Sequence, residues 1–219
     1  MLLPSSDTSV LLSTAYFPPI DYFVAIANGG EVRLEQCESY SKQSYRSRCN
    51  IFACDGVLSL TIPVVTSGNN TPIRDVKVDY TKKWLQQDTR ALVSAYMSSP
   101  FFEYYQDEIF AVLESGEKYL FDLNCRLLDV LMENLGLNKG IVLTEDYLPS
   151  HLIGGDVLDY RDKIHPKKSS PIFTEELKQK PYYQVFSQKY GFVSGLSVLD
   201  LLFNEGPQAS SFLRIGSRK

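Results

Sequence analysis

The sequence predicts an α/β or α+β fold, with a central mixed or mostly parallel sheet, flanking helices and a helical middle section. Three observations carry that expectation. The chain opens on strand, helix and strand patterns up to Cys37, its middle third repeats apolar residues at helical spacing, and Asp55-Gly56 divides two apolar runs as a hairpin turn does.

Taken in order, Val10 to Tyr16 is a short apolar run with threonine and aromatic content, which suits a pleated strand. Pro18-Pro19 fits the first turn of a helix, where the missing proline N–H would have no partner. Ile20 to Ala27 reads as that helix, and Asn28-Gly29-Gly30 stops it. Glu31 to Cys37, E-V-R-L-E-Q-C, alternates like a strand with one wetted face. This order fits a parallel βαβ unit with a short crossover. Two apolar runs from Cys49 to Val64 flank the Asp55-Gly56 turn, and Ile73 to Val78 reads as another strand.

Lys82 to Met97 places Trp84, Leu85, Leu92, Val93 and Tyr96 at near-helical spacing and ends before Ser98-Ser99-Pro100. Phe101 to Glu114 and Leu120 to Leu135 repeat the pattern, and Ile141 to Leu143 offers a short strand. From Thr144 to Pro181 the chain is polar and rich in Gly, Pro, Lys and Asp, without a sustained period. Such length points to a mobile segment over 144–181, or to one ordered by a ligand or a second subunit. The whole chain, 1–219, is read as a single domain.

A net charge of −4 provides no long-range field for nucleic acid or anionic lipid, so an anion site has to be a local cluster. Nucleic acid is therefore not expected as a partner. No run is long enough to span a bilayer, so no integral membrane contact is expected, and the opening M-L-L-P-S-S-D-T-S-V lacks the basic start and apolar run of a signal peptide. A cytoplasmic location follows as an expectation. Cys37, Cys49, Cys54 and Cys125 form no C-x-x-C pair and accompany no histidine cluster, so no metal and no cofactor are expected. Free thiols are the default, with a pairing of Cys37 to Cys49 or Cys54 as the alternative.

Four groups of residues could carry chemistry. Lys42, Tyr45, Arg46 and Arg48 cluster in an otherwise acidic chain, and guanidinium groups suit a diphosphate or carboxylate. The plainer reading is that two of these pair with Glu35 or Glu38 on the surface. Ser13, Thr14 and Tyr16 sit where a first strand ends, the place at which open α/β sheets hold ligands, unless they only cap the next helix. His165, within D-Y-R-D-K-I-H-P-K-K, has a side chain that titrates near neutral pH, whereas a loop histidine is more often solvated. Finally, Asp200 and Asn204 lie four apart on one side of a short apolar helix, near Gln184 in the preceding segment. Ser197 and Asp200 also have capping-box spacing, which is the structural explanation.

Two stretches resemble the WbqC-like protein family. Tyr40, Lys42, Ser44, Tyr45 and Arg48, with Leu60 to Val64 behind them, are similar to its aromatic and basic core. Tyr183, Gln184, Phe192, Leu196, Ser197, Asp200, Leu201, Phe203, Asn204 and Gly206 resemble its terminal motif. At the first turn Tyr16 and Pro18 match, but Leu12 stands where many members carry histidine. The resemblance implies bacterial surface-polysaccharide (O-antigen-type) biosynthesis, including transfer of an aminoacyl group such as glycine to a sugar precursor. In that reading Tyr16, Lys42, Tyr45, Arg46, Arg48, Gln184 and Asn204 bind a sugar or nucleotide-sugar, Asp200 or His165 accepts a proton, and a homo-oligomer stays open. The alternative is a non-catalytic glycan-precursor binder or scaffold. Both readings expect the basic segment and the Asp200 helix to share one concave pocket.

Overall fold

The computed structural model describes residues 4–66, 68, 70–168 and 181–214. Its centre is a four-stranded sheet in the order β7-β2-β1-β8, formed by β1 (Ser9–Ser13), β2 (Val32–Glu35), β7 (Ile141–Leu143) and β8 (Val157–Asp159). All three pairings are parallel, so the fold is α/β. β1 lies centrally, with Val10, Leu11 and Leu12 buried in succession, which is why it reads as a continuous apolar run rather than an alternating one.

Helix α1 (Ile20–Asn28) makes the crossover from β1 to β2 and is buried from Ile20 through Ile26. The stop that follows it needs glycine for close approach. A Cβ on Gly30 would stand 2.3 Å from the Ser6 carbonyl oxygen, and one on Gly29 would stand 2.6 Å from a Val10 methyl.

The predicted hairpin is β3 (Arg48–Ala53) against β4 (Gly56–Thr61), with Cys54 and Asp55 as the turn and Gly56 at a φ of 105°. A second small pair joins β5 (Val64–Val65) to β6 (Lys77–Val78). The strand expected over 73–78 is shorter than its apolar pattern. Ile73–Asp75 is a single 3₁₀ turn after Pro72, and its three-residue spacing buries both Ile73 and Val76.

Helices α2 (Trp84–Tyr96), α3 (Phe102–Leu113) and α4 (Leu120–Asn134) form the middle section, as their periodicity predicts. A single turn α5 (Ser187–Tyr190), then α6 (Val198–Glu205) and α7 (Ala209–Leu213), complete the described chain. α6 is buried from Val198 to Asn204 and packs against α1, α3 and β3. No described helix is long and apolar enough to cross a membrane.

β8 lies within the polar stretch that lacks a readable period. Only Leu158 of its three residues is buried, too little for alternation to register. Through Lys168 this stretch is tied to the sheet by hydrogen bonds, and residues 169–180 of the expected mobile segment lie outside the described residues.

Candidate functional site

The sheet's connections leave β1 in opposite directions. One neighbour, β2, follows through α1, whereas the other, β8, arrives more than a hundred residues later, so the carboxyl ends of β1 and β8 form a topological switch point. A crevice opens there. It is lined by Leu12, Ser13, Thr14 and Ala15 from the end of β1, Tyr22 from α1, Tyr45 and Arg46 from the basic segment, and Tyr160, Arg161 and Ile164 after β8.

The wall on the β2 side is a buried ion pair. Arg46 donates from Nε to Glu38 Oε1 at 2.8 Å, and its Nη2 donates to Glu38 Oε2 and, at 2.9 Å, to Ser13 Oγ. Ser13 Oγ in turn donates to Glu38 Oε2 at 3.1 Å. Burial pushes the Glu38 carboxyl up, and the Arg46 and Ser13 hydrogen bonds pull it back. Backbone contacts fix this wall. Asn124 of α4 donates to the Arg46 carbonyl at 2.8 Å, Tyr22 OH donates to the Ser13 carbonyl at 2.9 Å, and Tyr16 N–H donates to the Tyr45 carbonyl at 2.8 Å. Arg46 Nη1 alone of the guanidinium nitrogens makes no hydrogen bond among the described residues.

The opposite wall is a second guanidinium knot. Arg161 donates from Nη1 to Glu35 Oε2 at 2.9 Å, from Nε and Nη2 to both oxygens of Asp159, and from Nη2 to the Leu148 carbonyl at 2.8 Å. Glu35 Oε1 accepts from Thr144 Oγ1 at 2.7 Å and from Cys37 N–H at 2.8 Å. These bonds fasten 144–161 to the ends of β2 and β8. Beside this knot Tyr160 is 1% exposed, and its hydroxyl has no hydrogen-bond partner among the described residues.

His165 sits at the rim. Partial burial, then Lys168 and Arg46, lower the pKa of its imidazole, which favours the neutral ring. Its Nδ1 accepts from Lys167 N–H at 3.2 Å, which leaves the proton on Nε2. Lys167 donates to Gln43, which joins the rim segment to the turn before Tyr45.

The structure thus brings together Tyr45, Arg46 and His165 from the sequence candidates. Lys42 is exposed beside them, and burial pushes the Tyr45 hydroxyl up to about 12. Arg48 starts β3, half-buried, with its Nε buried and unpaired. Tyr16 turns inward instead, its hydroxyl donating to Asp88 Oδ2 at 2.9 Å, and burial raises that carboxyl to about 7.

Asp200, Gln184 and Asn204 belong elsewhere. Asp200 Oδ2 accepts from Tyr182 OH at 2.5 Å and from Gln184 Nε2 at 2.9 Å, within a network that Tyr96 completes. Gln184 also bridges both backbone groups of Val193, and Asn204 donates to the Asp200 carbonyl at 2.7 Å. Ser197 caps α6 through Leu199 N–H, the structural role its spacing allowed. None of these residues lines the crevice, so the expected single pocket joining the basic segment to the Asp200 helix is not formed among the described residues.

Sequence reasoning missed Glu38, Glu35 and Tyr160. The two acids were considered only as surface partners of the cations, yet both are buried and Glu38 does pair with Arg46. Glu35 ends β2 and Glu38 follows it three residues on, at the carboxyl end of a central strand, which was the available signal. All four cysteines are free, Cys49 buried and Cys54 exposed, and no described group of residues could hold a metal ion.

Fold and crevice define an open parallel α/β protein with a cleft of mixed lining at its switch point. The chain belongs to the WbqC-like protein family, which it matches over residues 14–165. That span runs from the end of β1 to His165 and contains most of the crevice lining, whereas Tyr182, Gln184 and Asp200 lie beyond it. Uncharacterized protein Rv1507c of Mycobacterium tuberculosis is 26% identical over 226 residues, 93% of this chain and 96% of its own. No solved structure matches the chain.

Proposed function

We propose that this WbqC-like protein acts in the assembly of a bacterial surface polysaccharide by holding a sugar precursor at the crevice between β1 and β8. The observation that carries this reading is a preformed cleft of mixed lining at the switch point, with Arg46, Ser13, Tyr45 and Tyr160 among its walls. Hydroxyl and guanidinium donors facing a small space suit a ligand rich in oxygen acceptors, which a sugar precursor is. Group transfer to the held sugar, such as transfer of an aminoacyl group, is the enzymatic form of the reading.

His165 is the candidate base for that step. A neutral imidazole at the rim could accept a proton from an attacking amine, whereas Asp200 is sealed in its own network away from the cleft. Binding without chemistry is the second reading, favoured by Leu12, an apolar and buried side chain at the position where the family resemblance implies histidine. The two separate on incubation of the protein with nucleotide sugars and aminoacyl donors, read by mass spectrometry for product and by thermal shift for binding. Product formation that His165→Ala abolishes supports transfer, and stabilisation without product supports the binder. Absence of both removes the proposal.

A further inference from the structure

We propose that the crevice takes a phosphate-linked sugar in one orientation, with a neutral hydroxyl edge of the sugar inward on Tyr160 and Arg46 and the phosphate outward on the basic rim. The inference rests on the sugar-precursor reading above and adds the direction of binding and the residue that recognises the sugar.

Charge decides the direction. The inner walls rest on two guanidinium groups and three carboxylates in two separate sets, Arg46 with Glu38 and Arg161 with Glu35 and Asp159. A phosphate pushed inward would meet a wall with one negative charge in excess and would have to displace Glu38 from Arg46, a buried pair that is costly to break. The anion cradle expected of Arg46 is therefore already filled by Glu38. Positive charge without a described carboxylate pair lies outside, on exposed Lys167 and Lys168 beside His165.

Unpaired donors decide what goes inward. Tyr160 OH is buried without a partner, and Arg46 Nη1 makes no described hydrogen bond. A buried hydroxyl with no partner is unfavourable by about 1–3 kcal/mol, so it marks a place where an acceptor from outside adds free energy. Free internal space is about 10 Å³, close to the volume one water occupies. One sugar hydroxyl is the most this space admits, and the proposal sets it against both donors. A whole ring or a phosphate group does not fit, so the ring lies across the mouth.

The test is calorimetric titration of the full chain with a panel of UDP- and dTDP-hexoses and, separately, with inorganic pyrophosphate. Tyr160→Phe should bind the nucleotide sugar about tenfold more weakly, the loss of one neutral hydrogen bond, and bind pyrophosphate as the wild type does. Lys167→Ala combined with Lys168→Ala should weaken both ligands. An unchanged sugar affinity in Tyr160→Phe overturns the orientation while leaving the sugar-precursor reading intact, as does a parallel loss for pyrophosphate. No binding of any panel sugar to the wild type overturns both. Because Tyr160 OH has no partner among the described residues, the phenylalanine variant should unfold at the wild-type midpoint or above it, so a weaker titration reports the ligand contact and not a damaged fold.

Discussion

The crevice and the Asp200 network are both buried, polar and built around carboxylates, but they differ in how their donors end. In the network each donor aimed at Asp200 comes from the chain itself, Tyr182, Gln184 and Tyr96, and Gln184 also saturates Val193. In the crevice the ion pairs are equally closed, but Tyr160 OH and Arg46 Nη1 remain over. A cluster whose donors all end on its own acceptors, with only the Asn204 Oδ1 acceptor left over, specifies packing, whereas one with surplus donors next to an opening has something to offer a ligand. That distinction separates the two groups of candidates better than residue type does, since both contain an acid, an amide or guanidinium, and a tyrosine.

The comparison breaks first at Glu38. Glu38→Gln leaves the Arg46 charge buried without its counter-ion and should destabilise the chain by about 3–5 kcal/mol in urea unfolding. A loss below about 1 kcal/mol would mean that water reaches the pair and that the wall is not the rigid frame described. Asp200→Ala comes next, at about 2–4 kcal/mol, because it strands Tyr182 OH and Gln184 Nε2 in the core. It should leave the affinity of the folded protein for any crevice ligand unchanged. A selective loss of binding in a variant that remains folded would join the two regions after all.

A third difference is in pH. Burial raises Asp200 from 3.8 to about 6, against the pull of its three donors. Its folded pKa lies above the unfolded value, so the unfolded chain ionises first as pH rises. The stability linked to this group is therefore full below about pH 4, falls as pH rises, and levels off above about pH 6. At about 1.4 kcal/mol per unit, the fall over that window is about 3 kcal/mol. Asp200→Asn should remove it, so the gap between wild type and variant should narrow by about 2 kcal/mol between pH 4.5 and pH 7. A constant gap would mean that the carboxylate is solvated.

Much of the fold was legible because its signals are local. Pro18-Pro19, Asn28-Gly29-Gly30 and the helical spacing of Trp84, Leu92 and Tyr96 act over a few residues, and the elements stand where they predict. β8 was not legible, since a three-residue strand becomes a strand only through its partner β1. The crevice has the same difficulty on a larger scale. Arg46, Tyr45 and His165 could be picked out as residue types, but their neighbours come from β1, β2 and the segment after β8, more than a hundred residues apart. The sequence motif around Asp200 was equally conspicuous for a different reason. A buried acid with fixed donors requires particular residues at fixed spacing whether or not anything binds it.

The smallest expected effect gives the sharpest contrast, since it sets two buried tyrosines side by side. Tyr182 OH donates to Asp200 at 2.5 Å, whereas Tyr160 OH donates to nothing. Tyr182→Phe deletes a hydrogen bond to a carboxylate and should lose about 1.5–3 kcal/mol, while Tyr160→Phe deletes only an oxygen without a described partner and should be as stable as the wild type or more so. Equal losses would mean that Tyr160 has a structural partner, such as an ordered water, and the crevice would then be as self-contained as the network. Unequal losses leave a hydroxyl that folding does not use, placed at the end of the central strand where this class of sheet holds its ligands.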